Sequence, residues 1–312
     1  MPAAPLYIVV NAGSGNQEAD VTCREIADVL TAAGRAHELV RVEDPTLLGE
    51  VAGHAVAKAR LDNGAVVAVG GDGTLNAVAQ ATLGTGCSFG VIPQGTFNYF
   101  GRAHGISSNA AEAARALLTA HVRPAQVGMV NDRLFLVNAS IGMYPQLLDD
   151  REEEKRRHGR SRLVAAWAAL RTIVRGYQPT RIRLEHEGRS HELRALTLFI
   201  SNNRLQLEQV GLDESELVED GELVAIVLRP VSTFTLLWLV AQGAMGNLAR
   251  AHGVQHFPFT SVTVRPSAWR HRRLNVSTDG ETAWMDTPIV FRVAPEPLLL
   301  LTPIDAVPES AT

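Results

Sequence analysis

Five apolar residues in a row, Ala65-Val66-Val67-Ala68-Val69, run directly into Gly70-Gly71-Asp72-Gly73-Thr74. The run has the length and composition of a strand buried on both faces, as in a parallel sheet. The glycines that follow remove the Cβ atoms that would hold a ligand off the backbone. The spacing predicts a helix from Thr74-Leu75-Asn76 onward, and the free N–H groups at its start suit a phosphate. Asp72 sets one carboxylate inside the loop, where it suits Mg²⁺ or a metal-bound water. A tight strand-to-helix turn is also what any α/β crossover needs, so this loop alone specifies no ligand.

Two further segments repeat the arrangement. Asn11-Ala12-Gly13-Ser14-Gly15-Asn16 follows the apolar run Leu6–Val10, and Ile92-Pro93-Gln94-Gly95-Thr96-Phe97-Asn98 follows Phe89-Gly90-Val91. Open parallel sheets bind ligands outside the carboxyl ends of their strands, so three such loops point to one shared phosphate site. Strands are expected at Leu6–Val10, Glu38–Val42, Ala65–Val69 and Ser88–Ile92. Helices are expected at Glu18–Ala33, Leu47–Leu61, Leu75–Leu83 and Ala110–Leu118. That alternation reads as a doubly wound α/β domain. After Pro124 the runs Leu134–Val137, Arg181–Leu184, Leu196–Ile200, Val224–Leu228, Ser261–Val264 and Ile289–Val293 read as strands without helices between them, hence an antiparallel sandwich or barrel.

Composition removes several classes. Lys58 and Lys155 are the only lysines among 29 basic residues. Neither follows a glycine, so no Gly-Lys-Ser/Thr phosphate loop exists, and protein-kinase signatures are missing too. A net charge of -4 gives no global reason to expect nucleic acid. Cys23 and Cys87 imply no disulfide framework and fit a reducing, cytoplasmic setting. The first strand begins within six residues, which leaves no room for a signal peptide. Two helical inserts are expected in the second half. One, Pro145 to Arg175, joins the charged run Asp149–Arg162 to a Trp-bearing apolar stretch; it reads either as a solvated turn on a core helix or as a segment lying on an anionic membrane. The other, Thr233 to Leu248, is apolar nearly all round and reads as packed.

In their order and spacing the three glycine loops resemble the catalytic domain of the diacylglycerol-kinase and sphingosine-kinase superfamily, and most nearly its bacterial soluble lipid kinases. Gly-Gly-Asp-Gly-Thr is shared with NAD kinases. The Pro-x-Gly-Thr-x-Asn segment and Asp279-Gly280-Glu281 narrow the resemblance to the lipid kinases. It implies an α/β fold in two domains: a doubly wound, NAD-kinase-like nucleotide-binding domain over 1–123, then an antiparallel β-sandwich lipid-substrate domain over 124–295, with 296–312 packing back on the first. It implies ATP and Mg²⁺ as cofactors, and a lipid hydroxyl as acceptor. Matched position by position, Asn11, Ser14, Gly70, Gly71, Gly73, Thr74, Gly95, Thr96 and Asn98 would contact the nucleotide. Asp72 and Glu281 would carry the chemistry, with Glu281 as general base and Asp279 in support. Asp220, in Asp220-Gly221-Glu222, would hold a structural Mg²⁺. Read as residues alone, Asp279-Gly280 is a hairpin turn and Asp220 an acidic turn before a strand.

The chain also departs from the pattern. Ala77, Tyr99 and Gln126 stand where the family often carries carboxylates, and Ser140–Pro145 differs from its usual Gly-x-Asp form. These departures keep a second reading open, a catalytically degenerate nucleotide-binding lipid sensor. A kinase for a soluble acceptor such as NAD is a third. A peripheral contact at the inner face of the membrane goes with a lipid acceptor, and an apolar edge in the second domain is open to pairing with a second copy.

Overall fold

The structure is a computed structural model that describes residues 4–12, 16–149, 179–186, 188–212, 218, 221–244, 253–267 and 273–304. The chain divides into two compact units. One takes the chain through Val127 and again from Ala294; the other takes Gly128–Val293.

The first unit is a mixed α/β layer structure. Its strands are β1 (Leu6–Asn11), β2 (His37–Val42), β3 (Ala65–Gly70), β4 (Ser88–Pro93), β5 (His121–Ala125) and β18 (Leu298–Thr302), in the spatial order β2-β1-β3-β4-β18-β5. The ladders are parallel as far as β18, and β5 runs antiparallel to β18 at the edge. Every residue of β3 is buried, as expected for the central strand of a sheet covered on both sides. The helices are α1 (Asn16–Ala32), α2 (Leu48–Leu61), α3 (Asp72–Thr82), α4 (Tyr99–Ala103) and α5 (Ala110–Thr119). Here α1 packs with α5 and α2 with α3. Small residues line the buried side of α2, where Ala52, Ala55 and Ala59 recur at helical spacing.

The second unit holds two six-stranded sheets, and every ladder in them is antiparallel. One is ordered β10-β9-β14-β17-β6-β7, from β6 (Gly128–Val130), β7 (Arg133–Phe135), β9 (Thr180–His186), β10 (Arg189–Ala195), β14 (Ser261–Pro266) and β17 (Ile289–Val293). The other is ordered β13-β12-β11-β8-β15-β16, from β8 (Asn138–Gly142), β11 (Thr197–Ser201), β12 (Leu223–Leu228), β13 (Val254–Phe259), β15 (Arg273–Thr278) and β16 (Glu281–Asp286). Alternate residues of both sheets, among them Ile141, Ile182, Leu198, Val264, Val276 and Phe291, form one apolar core between them.

Two expectations change here. The strand expected over Leu134–Val137 reaches only Phe135, in β7, and β8 begins at Asn138, because the amides of Leu136 and Val137 bond elsewhere, as described below. The second half also contains a short helix, α6 (Arg204–Gln209), started by Asn203, whose side chain accepts from the Gln206 amide. The apolar insert appears as α7 (Thr233–Ala244). Leu236 and Leu239 are buried, yet Phe234 is 86% exposed and Trp238 48%. The helix is therefore packed on one side and apolar on the other as well. Of the first insert, residues 145–149 are helical and the remainder lies outside the described residues. No helix among the described residues is long and apolar enough to cross a membrane.

Candidate active site

In the first unit, Asn11 at the carboxyl end of β1 and the glycine-bearing loops that follow β3 and β4 come together; Gly13 and Gly15 lie outside the described residues. The α3 helix begins at Asp72, two residues earlier than expected. Gly71 takes an extended backbone and serves as its N-cap, with no side chain bonded there. The start of this helix is thus left to backbone N–H groups, with Asp72 in its first turn. Gly70 is required by close approach: a Cβ there would lie 2.7 Å from the Thr74 Cβ. Gly95 is required in the same way, since its Cβ would come within 3.1 Å of the Gly71 Cα. The two loops therefore back directly onto each other.

Hydrogen bonds fix the rest. The Gln94 amide donates to the Gly70 carbonyl at 2.8 Å, joining the β4 loop to the β3 loop. Asn11 Nδ2 donates to Thr74 Oγ1 at 3.0 Å, joining β1 to the same helix start. Asn98, in the left-handed region at φ 49°, accepts from the Gly95 amide through Oδ1 at 2.8 Å. Thr74 and Asn98 are both buried, so their printed bonds brace the loops from within. Gly73 sits half-buried in the first turn of α3, and Thr96 is exposed at the tip of the β4 loop. Ser14 lies outside the described residues.

Tyr99 and its neighbours escaped the sequence reading as a group. The Phe97 and Tyr99 rings stack with centroids 5.8 Å apart and planes 7° from parallel, and the Arg102 guanidinium lies 6.0 Å from the Tyr99 centroid. Burial pushes the Tyr99 phenol up, Arg102 pulls it down and Asp72 raises it again. A phenol so raised is neutral near pH 7, so the place where the family often has a carboxylate is uncharged here. The i, i+2 aromatic spacing just before a helix was the available signal.

In the second unit, Asp279 and Gly280 form a two-residue hairpin turn between β15 and β16, with φ 47° and 91°. Both positive values mark the turn type that Asp-Gly favours. The Asp279 carboxylate is gripped by three successive amides: Leu136 donates to Oδ2 at 2.7 Å, and Val137 and Asn138 donate to Oδ1 at 2.8 and 3.0 Å. Two of them, those of Leu136 and Val137, belong to the part of the strand expected over Leu134–Val137 that does not form. Glu281 opens β16 beside this turn, opposite Thr278, and is exposed. The same hairpin is also held by Asp149, which accepts from Asn275 at 2.8 Å and from Thr282, next to Glu281, at 2.6 Å. Nothing in the sequence linked Asp149 to this hairpin. Asp220 lies outside the described residues.

Comparison with known proteins agrees with this division. The family model described as "Diacylglycerol kinase catalytic domain" matches residues 5–130, and that described as "YegS C-terminal NAD kinase beta sandwich-like domain" matches residues 148–302. A diacylglycerol kinase of Bacillus subtilis (strain 168) is 25% identical over 290 residues, 89% of this chain and 90% of its own length. One of Staphylococcus haemolyticus (strain JCSC1435) is 25% identical over 287 residues, covering 88% of this chain and 81% of that one. The crystal structure of a diacylglycerol kinase from Bacillus anthracis str. Sterne covers 97% of this chain and 98% of its own with a TM-score of 0.69 at 18% identity, a likeness of fold. With its glycine loops, its antiparallel second unit and both family models in register, the chain belongs to the diacylglycerol kinase catalytic domain family.

Proposed function

We propose that the chain is an ATP- and Mg²⁺-dependent lipid kinase that transfers the γ-phosphoryl group of ATP to a hydroxyl of a diacylglycerol-like or long-chain lipid. The observation that carries this reading is the convergence of strand-end loops on a helix start that no side chain caps and that bears Asp72. The names of the relatives support the substrate class, since those proteins are called diacylglycerol kinases.

In this reading the backbone N–H groups at the start of α3 hold phosphate oxygens. Mg²⁺ is commonly held by one or two carboxylates together with water and the substrate's own phosphates. Asp72 fits that demand. Among the described residues no three His, Cys, Asp or Glu side chains converge into a closed protein cage. When bound, the ion neutralises charge on the phosphates. Glu281 accepts the proton of the lipid hydroxyl as its oxygen bonds to the γ-phosphorus and the bond to the ADP oxygen breaks. Asp279 acts only by holding the turn that presents Glu281. A peripheral contact with the inner face of the membrane accompanies a lipid acceptor, and the exposed Phe234 and Trp238 of α7 are side chains suited to it.

The test is transfer of label from γ-labelled ATP, with Mg²⁺, to total lipid in mixed micelles, beside Asp72→Ala and Glu281→Ala. A labelled lipid made by the native chain and lost in both variants is the expected result. Intact ATP binding with no labelled lipid overturns the reading. That outcome favours a nucleotide-binding lipid sensor, for which the neutral Tyr99 beside Asp72 is the motivating observation. Labelling of NAD in the absence of lipid would instead identify a soluble acceptor.

A further inference from the structure

A base that takes a proton in the transition state must be held in place, and a misplacement of about 1 Å can cost about 10²-fold in rate. Glu281 is exposed at the first position of β16, so burial does little to fix it. The Asp279 clasp fixes the chain two residues before it. Thr282 follows Glu281 directly, and its Oγ1 donates to Asp149 Oδ1 at 2.6 Å. The second oxygen of the same carboxylate, Oδ2, accepts from Asn275 Nδ2 at 2.8 Å. Thr282 stands opposite Ser277, two residues along β15 from Asn275, so both donors project from one face of the hairpin. One carboxylate therefore ties both strands of the hairpin through charge-assisted bonds.

Asp149 is itself on a fixed support. It belongs to the helix over 143–149, which follows β8 without a loop. The joint is tight: Gly142 has φ 100°, and a Cβ there would lie 2.4 Å from the Leu196 carbonyl oxygen. The Met143 amide donates to that same carbonyl at 2.8 Å. Tyr144 meets Phe199 edge-on, with ring centroids 5.7 Å apart. Met143 and Leu147, one turn apart on one face of the helix, pack with Leu236 of α7 and with Leu228 and Val231. Asp149, two residues past Leu147, lies about 200° round the helix from it. The helix is thus held along one side and gives its other side to the hairpin.

We propose that Asp149 is a positioning residue for phosphoryl transfer, which touches neither substrate nor metal and holds Glu281 by tying Thr282 to the helix over 143–149. The inference rests on Glu281 being the base of the kinase proposed above. It is tested by steady-state transfer from γ-labelled ATP to lipid in mixed micelles, using the intact chain beside Asp149→Ala, Thr282→Val and Asp149→Asn. Asp149→Ala and Thr282→Val are each expected to lower kcat about 10–100-fold. The KM for lipid and the Kd for ATP should stay within about 3-fold of native, the mark of a contact that matters only in the transition state. Because both substitutions cut one link, the double variant should be no slower than the slower single. Valine keeps the branched shape that suits a strand, so Thr282→Val carries the test if Asp149→Ala does not fold.

Asp149→Asn removes the charge and keeps the link. Its carbonyl can still accept from Thr282, and Asn275, whose Oδ1 is buried without a partner, can turn its amide to accept from the new Nδ2. This variant is expected to recover most of the loss. If it is as slow as Asp149→Ala, the charge itself acts on substrate or metal and the positioning role is overturned. Native kcat in both Asp149→Ala and Thr282→Val overturns this inference alone. Absence of transfer by the native chain overturns the kinase reading together with it.

Discussion

Asp-Gly occurs at both candidate sites and folds in opposite ways. Asp72-Gly73 opens a helix after a buried parallel strand, whereas Asp279-Gly280 closes a hairpin with both residues at positive φ. One carboxylate stands in the first turn of a helix, where a ligand phosphate or metal would be met. The other is spent on three backbone amides of its own unit. The neighbours decide the outcome. Leu75 and Val78 continue a helical stripe behind Asp72, while Thr278 and Glu281 pair across the turn behind Asp279. Identical dipeptides therefore take different places, the first turn of a helix in one case and a hairpin turn tied to its own unit in the other.

Substitution at each turn should separate these roles. The largest effect is expected on activity: Asp72→Ala or Glu281→Ala should lower transfer by about 10²–10³-fold, as loss of a catalytic carboxylate typically does, with the denaturant midpoint nearly unchanged. Asp279→Ala should do the reverse in stability, costing about 3 kcal/mol in denaturant titration because three amides lose their acceptor and alanine resists positive φ. A stable, inactive Asp279→Ala protein would erase the distinction. Next comes acid. Burial holds the imidazole of His104, packed edge-on to Phe100, down at about 4 from an ordinary 6.5. The unfolded chain therefore takes up a proton that the folded one refuses, so stability is full above pH 6.5 and falls as pH drops towards 4. About 2 kcal/mol should be lost over that window, and His104→Phe should flatten the curve of unfolding free energy against pH. The smallest effect is expected for Gly280→Ala, about 1 kcal/mol, since φ is 91° there but the space beside it is open.

The central sheet was legible because its signal is local. An all-apolar β3 followed by glycines admits few other readings, and the expected strands lie within a residue or so of those found. What escaped was set by distant partners. The β5 strand contains Pro124, which reads as a break, yet β5 lies at the sheet edge where a missing N–H does no harm. The β10 strand, Arg-Ser-His-Glu-Leu-Arg-Ala, looks like a solvated loop because it is an edge strand with an exposed face. At the candidate site, the glycines and Asp72 could be read from their motifs. The grip of Asp279 on residues 136–138 could not, since more than 140 positions separate donor from acceptor. The same holds for Ser140 and Ser277, which face each other fully buried on adjacent strands although their type suggests a wet surface.

The placement of β18 between β4 and β5 has a consequence for how the protein is made. Nascent chains emerge N-terminal end first, so the first unit begins to assemble without a strand from the middle of its own sheet. Until Leu298–Thr302 leaves the ribosome, β5 has nothing to pair with and β4 presents an open edge. All twelve strands of the second unit are synthesised before that moment, so the later-encoded unit is free to close first. A chain cut short after Val293 should carry a complete sandwich and a first sheet with an exposed, association-prone edge.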